Sequence, residues 1–214
     1  YVPEKIKKVV IPRTLTSNIL ELLGKSVTSI KVDVGNKLFQ AKDDILYDKE
    51  FKKVLFCTKN KKEVVLPETV KTIDVQSFAN CDKLKKITFP ENLNRIEALA
   101  FENCKRLEYV KFPDKGIDIG ALAFMNCSRL KWIYVPKGTN FDEVDAEYIF
   151  GGCNKFTDIF FSGTEEEWND SWYNEDENAD EMFWLEYGEI MYECDLDETV
   201  FERLNIHYEA KAPL

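Results

Sequence analysis

The sequence predicts a solenoid: a β-rich, right-handed superhelix of stacked coils, with a parallel sheet on its concave face and short helical turns on its convex side. Three observations carry this. Pro67, Pro90, Pro113 and Pro136 are each 23 residues apart. Phe78, Phe101 and Phe124 share that spacing, as do Asn80, Asn103 and Asn126 and Cys81, Cys104 and Cys127. Within each unit the apolar residues alternate as they would on a half-buried strand. A fixed period of this length is the signature of units that bury their apolar faces only by stacking.

The regular units read IDVQSFANCDKLKKITFP from Ile73, IEALAFENCKRLEYVKFP from Ile96 and IGALAFMNCSRLKWIYVP from Ile119. A looser copy, FGGCNKFTDIFF from Phe150, follows three residues late, with Gly152 in place of Asn and Phe156 in place of Leu. Leu84, Ile87 and Phe89 fit the Leu-x-x-Ile-x-Phe strand signature of leucine-rich repeats. A strand has period two, so Ile87 and Phe89 point inward while Lys86 and Thr88 point out. Proline cannot donate a ladder hydrogen bond, so it ends the sheet at the same level in each coil. The Ala-Phe-x-Asn-Cys segment suits a short helical turn on the opposite wall.

Three ladders are expected to hold the stack together. The phenylalanines form an inner row. The asparagines stack and bond backbone groups of the turns that would otherwise be unpaired. The cysteines at one equivalent position form a row of small apolar thiols. The spacing of coils does not exclude a disulfide between neighbours, but parallel side chains at equivalent positions favour buried free thiols. Zinc has no support, since there is no CxxC pair and a single His.

These repeats resemble the BspA-like leucine-rich repeats. The resemblance is carried by VVLPETVKTIDVQSFANCDKLKKITFP, Val64 to Pro90, with Ser77 where Ala is usual. The upstream stretch VDVGNKLFQAKDDILYDKEFKKVLFC resembles the family's insert, implying a β-hairpin near residues 33–57 inside one enlarged repeat. FSGTEEEW and NIHYEA resemble the closing segment of many members. The resemblance implies a cell-surface or secreted protein and a recognition or adhesion role, with a host, matrix or neighbouring cell-surface protein as partner. An architectural spacer or an intracellular interaction scaffold is the alternative.

Along the chain, residues 1–162 are expected to form the solenoid, regular over 67–136 and degenerate on either side. Residues 163–214 form an acidic C-terminal cap of the same domain. KIKKVVIP and SVTSIKV carry strand spacing near the start. Thr164 and Glu167 make a capping box for a short helix through Trp168. Trp168, Trp172, Tyr173, Phe183 and Trp184 are placed to cover the last coil's apolar edge. Residues 174–198 are an acidic insertion that departs from the family pattern, and ERLNIHYEA is expected to return as a last strand.

Composition bounds the partners. The chain has 214 residues and a net charge of −10. Residues 137–214 hold 4 Lys+Arg against 22 Asp+Glu, whereas residues 1–136 hold 25 against 17. Nucleic acid is therefore not expected, because phosphate binding needs a basic face. The acidic end reads as a solvated surface, with a cation site or a guard against wrong partners as the sharper alternatives. No apolar run approaches the ~20 residues that span a bilayer. The chain opens on Tyr1 with no leader-like segment, so it is expected to be a processed chain or a piece of a longer one. A monomer is expected.

Chemistry finds little to work with. His207 lies in an apolar strand pattern with no evident partner in sequence, so no nucleophilic dyad is expected. There is no phosphate loop, no His pair and no EF-hand spacing around Asp195 and Asp197. No catalytic residue, metal or cofactor is expected, and the chain does not read as an enzyme. Instead, two outward columns are expected on the concave sheet: Lys86, Tyr109, Trp132 and Asp158, and beside them Thr88, Lys111, Tyr134 and Phe160. Exposed aromatics on a rigid face are what protein interfaces enrich, so these eight residues form the expected binding surface. The competing expectation is that the rings stack on one another and only stiffen the sheet.

Overall fold

The structure is a computed structural model, and it describes residues 6–15, 23, 26–141, 149–171 and 204–213. Trp172, Tyr173, Phe183, Trp184, Cys194 and the acidic insertion 174–198 lie outside the described residues.

The predicted strands stack as read. The strand face consists of β6 (Glu63–Val65), β8 (Lys86–Thr88), β10 (Tyr109–Lys111), β12 (Trp132–Val135), β14 (Asp158–Phe161) and β15 (Asn205–His207). All pairings here are parallel and in register with the repeat: Lys111 faces Tyr134, and Tyr134 faces Phe160. The looser copy after Phe150 therefore supplies a full coil, and NIH returns as strand β15 beside β14. Inward residues Ile87, Val110, Ile133 and Ile159 are buried. Pro90, Pro113 and Pro136 are buried directly beyond the strands.

The opposite wall differs from the expected helical turns. It carries a second sheet of two-residue strands, β7 (Thr72–Ile73), β9 (Arg95–Ile96), β11 (Asp118–Ile119) and β13 (Asn140–Phe141). Ile73, Ile96 and Ile119 anchor it and are fully buried. The Ala-Phe-x-Asn-Cys segment then turns by i→i+3 bonds, such as Cys81 N–H to Phe78 O at 3.1 Å and Cys104 N–H to Phe101 O at 3.1 Å. These turns cannot propagate into a helix because two residues per coil are left-handed: Gln76 and Asn80, Leu99 and Asn103, Leu122 and Asn126. Gly152, which replaces Asn in the looser coil, has φ +71°. The asparagine ladder is thus first of all a ladder of left-handed residues, a conformation Asn and Gly tolerate best. These cross-coil bonds come from the backbone N–H and not from the side chain: Asn80 N–H donates to Glu102 O, Asn103 N–H to Met125 O and Asn126 N–H to Gly151 O.

Inside, Phe78, Phe101, Phe124 and Phe150 stack. Successive ring centroids lie 5.0, 5.2 and 5.9 Å apart, with interplanar angles of 15°, 1° and 13°. Cys57, Cys81, Cys104, Cys127 and Cys153 are buried thiols. Three of them donate to the coil before: Cys104 to Phe78 O, Cys127 to Phe101 O and Cys153 to Phe124 O, at 3.2–3.3 Å. Burial pushes the thiols of Cys57, Cys104 and Cys127 up from their ordinary value.

The hairpin is present and larger than read. β3 (Phe39–Lys42) and β4 (Ile45–Asp48) pair antiparallel around Asp43 and Asp44, both with positive φ. That is the turn geometry whose twist matches a tight hairpin. β4 also pairs antiparallel with β5 (Lys53–Cys57), which joins β7 in parallel and so ties the insert into the second sheet. At the start, β1 (Lys8–Ile11) and β2 (Ser29–Val32) form a separate parallel pair.

Closure at the other end uses helix α1 (Glu165–Asp170). Thr164 accepts from the Glu167 amide at 3.3 Å while Glu167 accepts from the Thr164 amide at 2.9 Å. This reciprocal cap satisfies two amides that a helix start leaves bare. Its one buried residue, Trp168, packs edge-on against Phe141 and Phe161. Among the described residues no helix is long and apolar enough to cross a membrane.

Candidate functional site: the aromatic strand face

Register places both predicted columns. Tyr109 lies beside Trp132 and Trp132 beside Asp158; Lys111 lies beside Tyr134 and Tyr134 beside Phe160. Lys86 and Thr88 sit on β8, whose other neighbours are Glu63 and Val65. The rings interact in sequence. Tyr109 stacks on Trp132 at 4.9 Å and 12°. Trp132 meets Phe160 edge-on at 5.9 Å and 90°. Phe160 stacks on His207 at 4.5 Å and 8°.

Two expectations need correction. Tyr134 is not an exposed contact residue, since only 7% of it is accessible. The Lys111 ammonium lies 5.7 Å from its ring centroid, and its hydroxyl is set among Ser162 and Asp114. Burial raises its pKa above the ordinary phenol value. His207 does have a partner: its Nε2 lies 2.9 Å from Asp158 Oδ1. Period-two alternation in Asn205-Ile206-His207 was the available signal, because it turns Asn205 and His207 to the same side as Asp158. Hydrogen bonding from His207 holds the Asp158 carboxyl below its ordinary pKa. This pair closes the ring ladder at the solenoid's end.

A cavity of about 510 Å³ opens at the other end of the ladder. Lys86, Thr88, Tyr109, Lys111 and Trp132 line it, together with inward-facing Ile87, Phe89 and Phe112. It sits where the sheet is interrupted: β6 pairs with β8 and β10 with β12, but no ladder joins β8 to β10. Glu108 N–H reaches Lys85 O at 3.4 Å across that seam. One wall is Pro213. The C-terminal segment reaches it from the end of β14, where Ala210 N–H donates to Phe161 O at 2.9 Å. Neither the seam nor Pro213 is visible in the repeat pattern. Among the described residues no group of three or more His, Cys, Asp or Glu could hold a metal.

The fold is that of a repeat solenoid, an architecture whose extended faces commonly serve as binding surfaces. The match to known proteins is specific: the BspA-type leucine-rich-repeat model matches residues 49–180 in 6 copies, and the chain belongs to that family. Among solved structures, it is similar to a leucine-rich repeat protein from Eubacterium ventriosum, with 25% identity and a TM-score of 0.60 over 72% of this chain and 42% of that one. The pneumococcal vaccine antigen PcpA matches 97% of this chain and 56% of its own, at 16% identity and a TM-score of 0.61. A leucine-rich cell surface protein of Faecalibacterium prausnitzii matches 77% of this chain and 50% of its own, at 21% identity and a TM-score of 0.61. The chain thus spans about half the length of these structures. No curated protein matches the sequence significantly.

Proposed function

We propose that this chain is a non-enzymatic recognition module of a cell-surface or secreted protein. It binds a protein partner through the strand face and serves adhesion or host and cell recognition. The observation that carries this reading is the ladder Tyr109–Trp132–Phe160: three half-buried rings on strands locked by register, next to a cavity. Partly exposed aromatics on a preorganised surface lose little entropy on binding, which is why interfaces concentrate their energy in them. The family and the surface-protein relative support the compartment.

The test is capture of surface and matrix proteins by the immobilised chain, compared with a Tyr109→Ala/Trp132→Ala double variant. Circular dichroism and melting show whether the variant keeps its fold. Capture that vanishes with the fold intact supports recognition through this face; undiminished capture moves the interface elsewhere. The rival reading, a spacer stiffened by its rings, rests on the Tyr109–Trp132 stack. It expects a drop in stability and no partner for either protein.

A further inference from the structure

We propose that the seam cavity between β8 and β10 receives an aromatic side chain from an acidic, extended peptide of the partner protein. This rests on the recognition reading above and names the partner's chemistry. The walls are apolar: Ile87, Phe89, Phe112, Pro113 and Pro213. Tyr109 ends the ring ladder here, since its stacked partner Trp132 lies on one side and the next residue of its column is Lys86. A ring placed in the cavity continues the ladder by one step, with the offset or edge contacts aromatic pairs prefer.

Charge selects the rest of the ligand. Lys86 and Lys111 line the cavity with one carboxylate, Glu91; all three are exposed, and Lys111 also lies 3.9 Å from Asp114. Where the coils enter their strands stand the exposed cations Lys62, Lys85 and Lys131, with Arg106 and Arg129 three residues before theirs. Glu108 offsets Lys131 at 4.0 Å, but the row stays basic across four coils. Strands repeat about every 4.8 Å, so this row is long enough for roughly four or five residues of extended chain. A ligand with several negative charges spread over that length is a polymer and not a small acid. The largely apolar cavity beside the row favours a peptide over a sulfated glycan, which has no aromatic ring to insert.

The experiment uses the full chain and a fluorescent nonapeptide of glutamates with one central Phe, read by anisotropy. Binding is expected to weaken at least tenfold when the peptide's Phe becomes Ala, and at least tenfold in a Lys86→Glu/Lys111→Glu variant. Both lysines are exposed, and melting checks the fold. Should the double variant not fold, the Phe-to-Ala comparison on the unaltered chain still decides. Equal affinity for the two peptides overturns the proposal, as does a sulfated oligosaccharide or phenylacetate that binds more tightly than the Phe peptide. If the acidic peptide fails while Tyr109→Ala/Trp132→Ala still abolishes partner capture, recognition by this face stands and only the ligand chemistry falls.

Discussion

Gly152 lies directly against the side-chain amide of Asn126, so that a Cβ added at Gly152 would collide with Asn126 Oδ1. The glycine is also left-handed, at φ +71°. Two requirements meet at one position, and only one of them is met by the Asn found in the regular coils. Gly152→Ala is expected to cost roughly 1–3 kcal/mol, read as a lower urea midpoint at unchanged slope. Gly152→Asn is expected to cost as well, despite matching the repeat, because its Cβ meets the same amide.

Ser77 presents the opposite case. It occupies the position held by Ala100 and Ala123, is 2% exposed, and its hydroxyl has no hydrogen-bond partner. A buried, unpaired hydroxyl is destabilising by about 1–3 kcal/mol. Ser77→Ala is therefore expected to raise stability by about 1 kcal/mol, seen as a higher melting temperature.

The inner and outer rings should respond differently to truncation. Phe101 is fully buried between Phe78 and Phe124, with Phe89 on its edge. Phe101→Ala is expected to cost about 3–5 kcal/mol in chemical denaturation. Trp132, half-exposed on the strand face, is expected to cost less than about 2 kcal/mol, because much of its surface stays in water.

The thiol row gives the chain an alkaline limit. Cys57, Cys104 and Cys127 have raised pKa values in the fold because burial disfavours their thiolates. In the unfolded chain they ionise near ~8.5. Their contribution is present in full below that value and is lost as pH rises past it, since only the unfolded state releases the proton. Melting temperatures are expected to fall above about pH 8.5. At neutral pH, iodoacetamide should leave these three unlabelled by peptide mass spectrometry until denaturant is added.

Acid acts at the closing strand. The Asp158 carboxyl is depressed by its bond from His207, then helped by Thr157 and Asn205. A depressed carboxylate contributes stability above its unfolded value, near ~3.9, and loses it as pH falls through the folded value. Asp158→Asn should flatten the fall in melting temperature as pH drops below about 4. An unchanged slope would show that other carboxylates dominate the acid limb.

The sequence displayed the strand face almost completely, because strand register follows from letters repeated every 23 residues. Tyr109 beside Trp132 and Tyr134 beside Phe160 needed no coordinates. Thr164 and Glu167 announced the capping box through their spacing alone. Left-handed Leu99 and Leu122 gave no such sign, since Leu carries no preference for that conformation and only the closure of the coil imposes it. The second sheet escaped because two-residue strands are too short to show a period. Tyr134 misled for a related reason. Alternation set its direction correctly, but Lys111, Asp114 and Ser162 reach it from other coils and cover it. Pro213 joined the cavity through the path of the last segment, which repeats nothing.

The interrupted ladder between β8 and β10 also bears on how the molecule comes apart. Everywhere else on this face, neighbouring strands share their hydrogen bonds, and tension on one is passed to the next. At that joint the transfer rests on one long backbone bond, Glu108 N–H to Lys85 O, and on side chains, Phe89 against Phe101 and Phe112 above all. Pulled from its two ends, the chain has a built-in perforation there, and the first tear on this side should begin between the strands of the first and second regular coils.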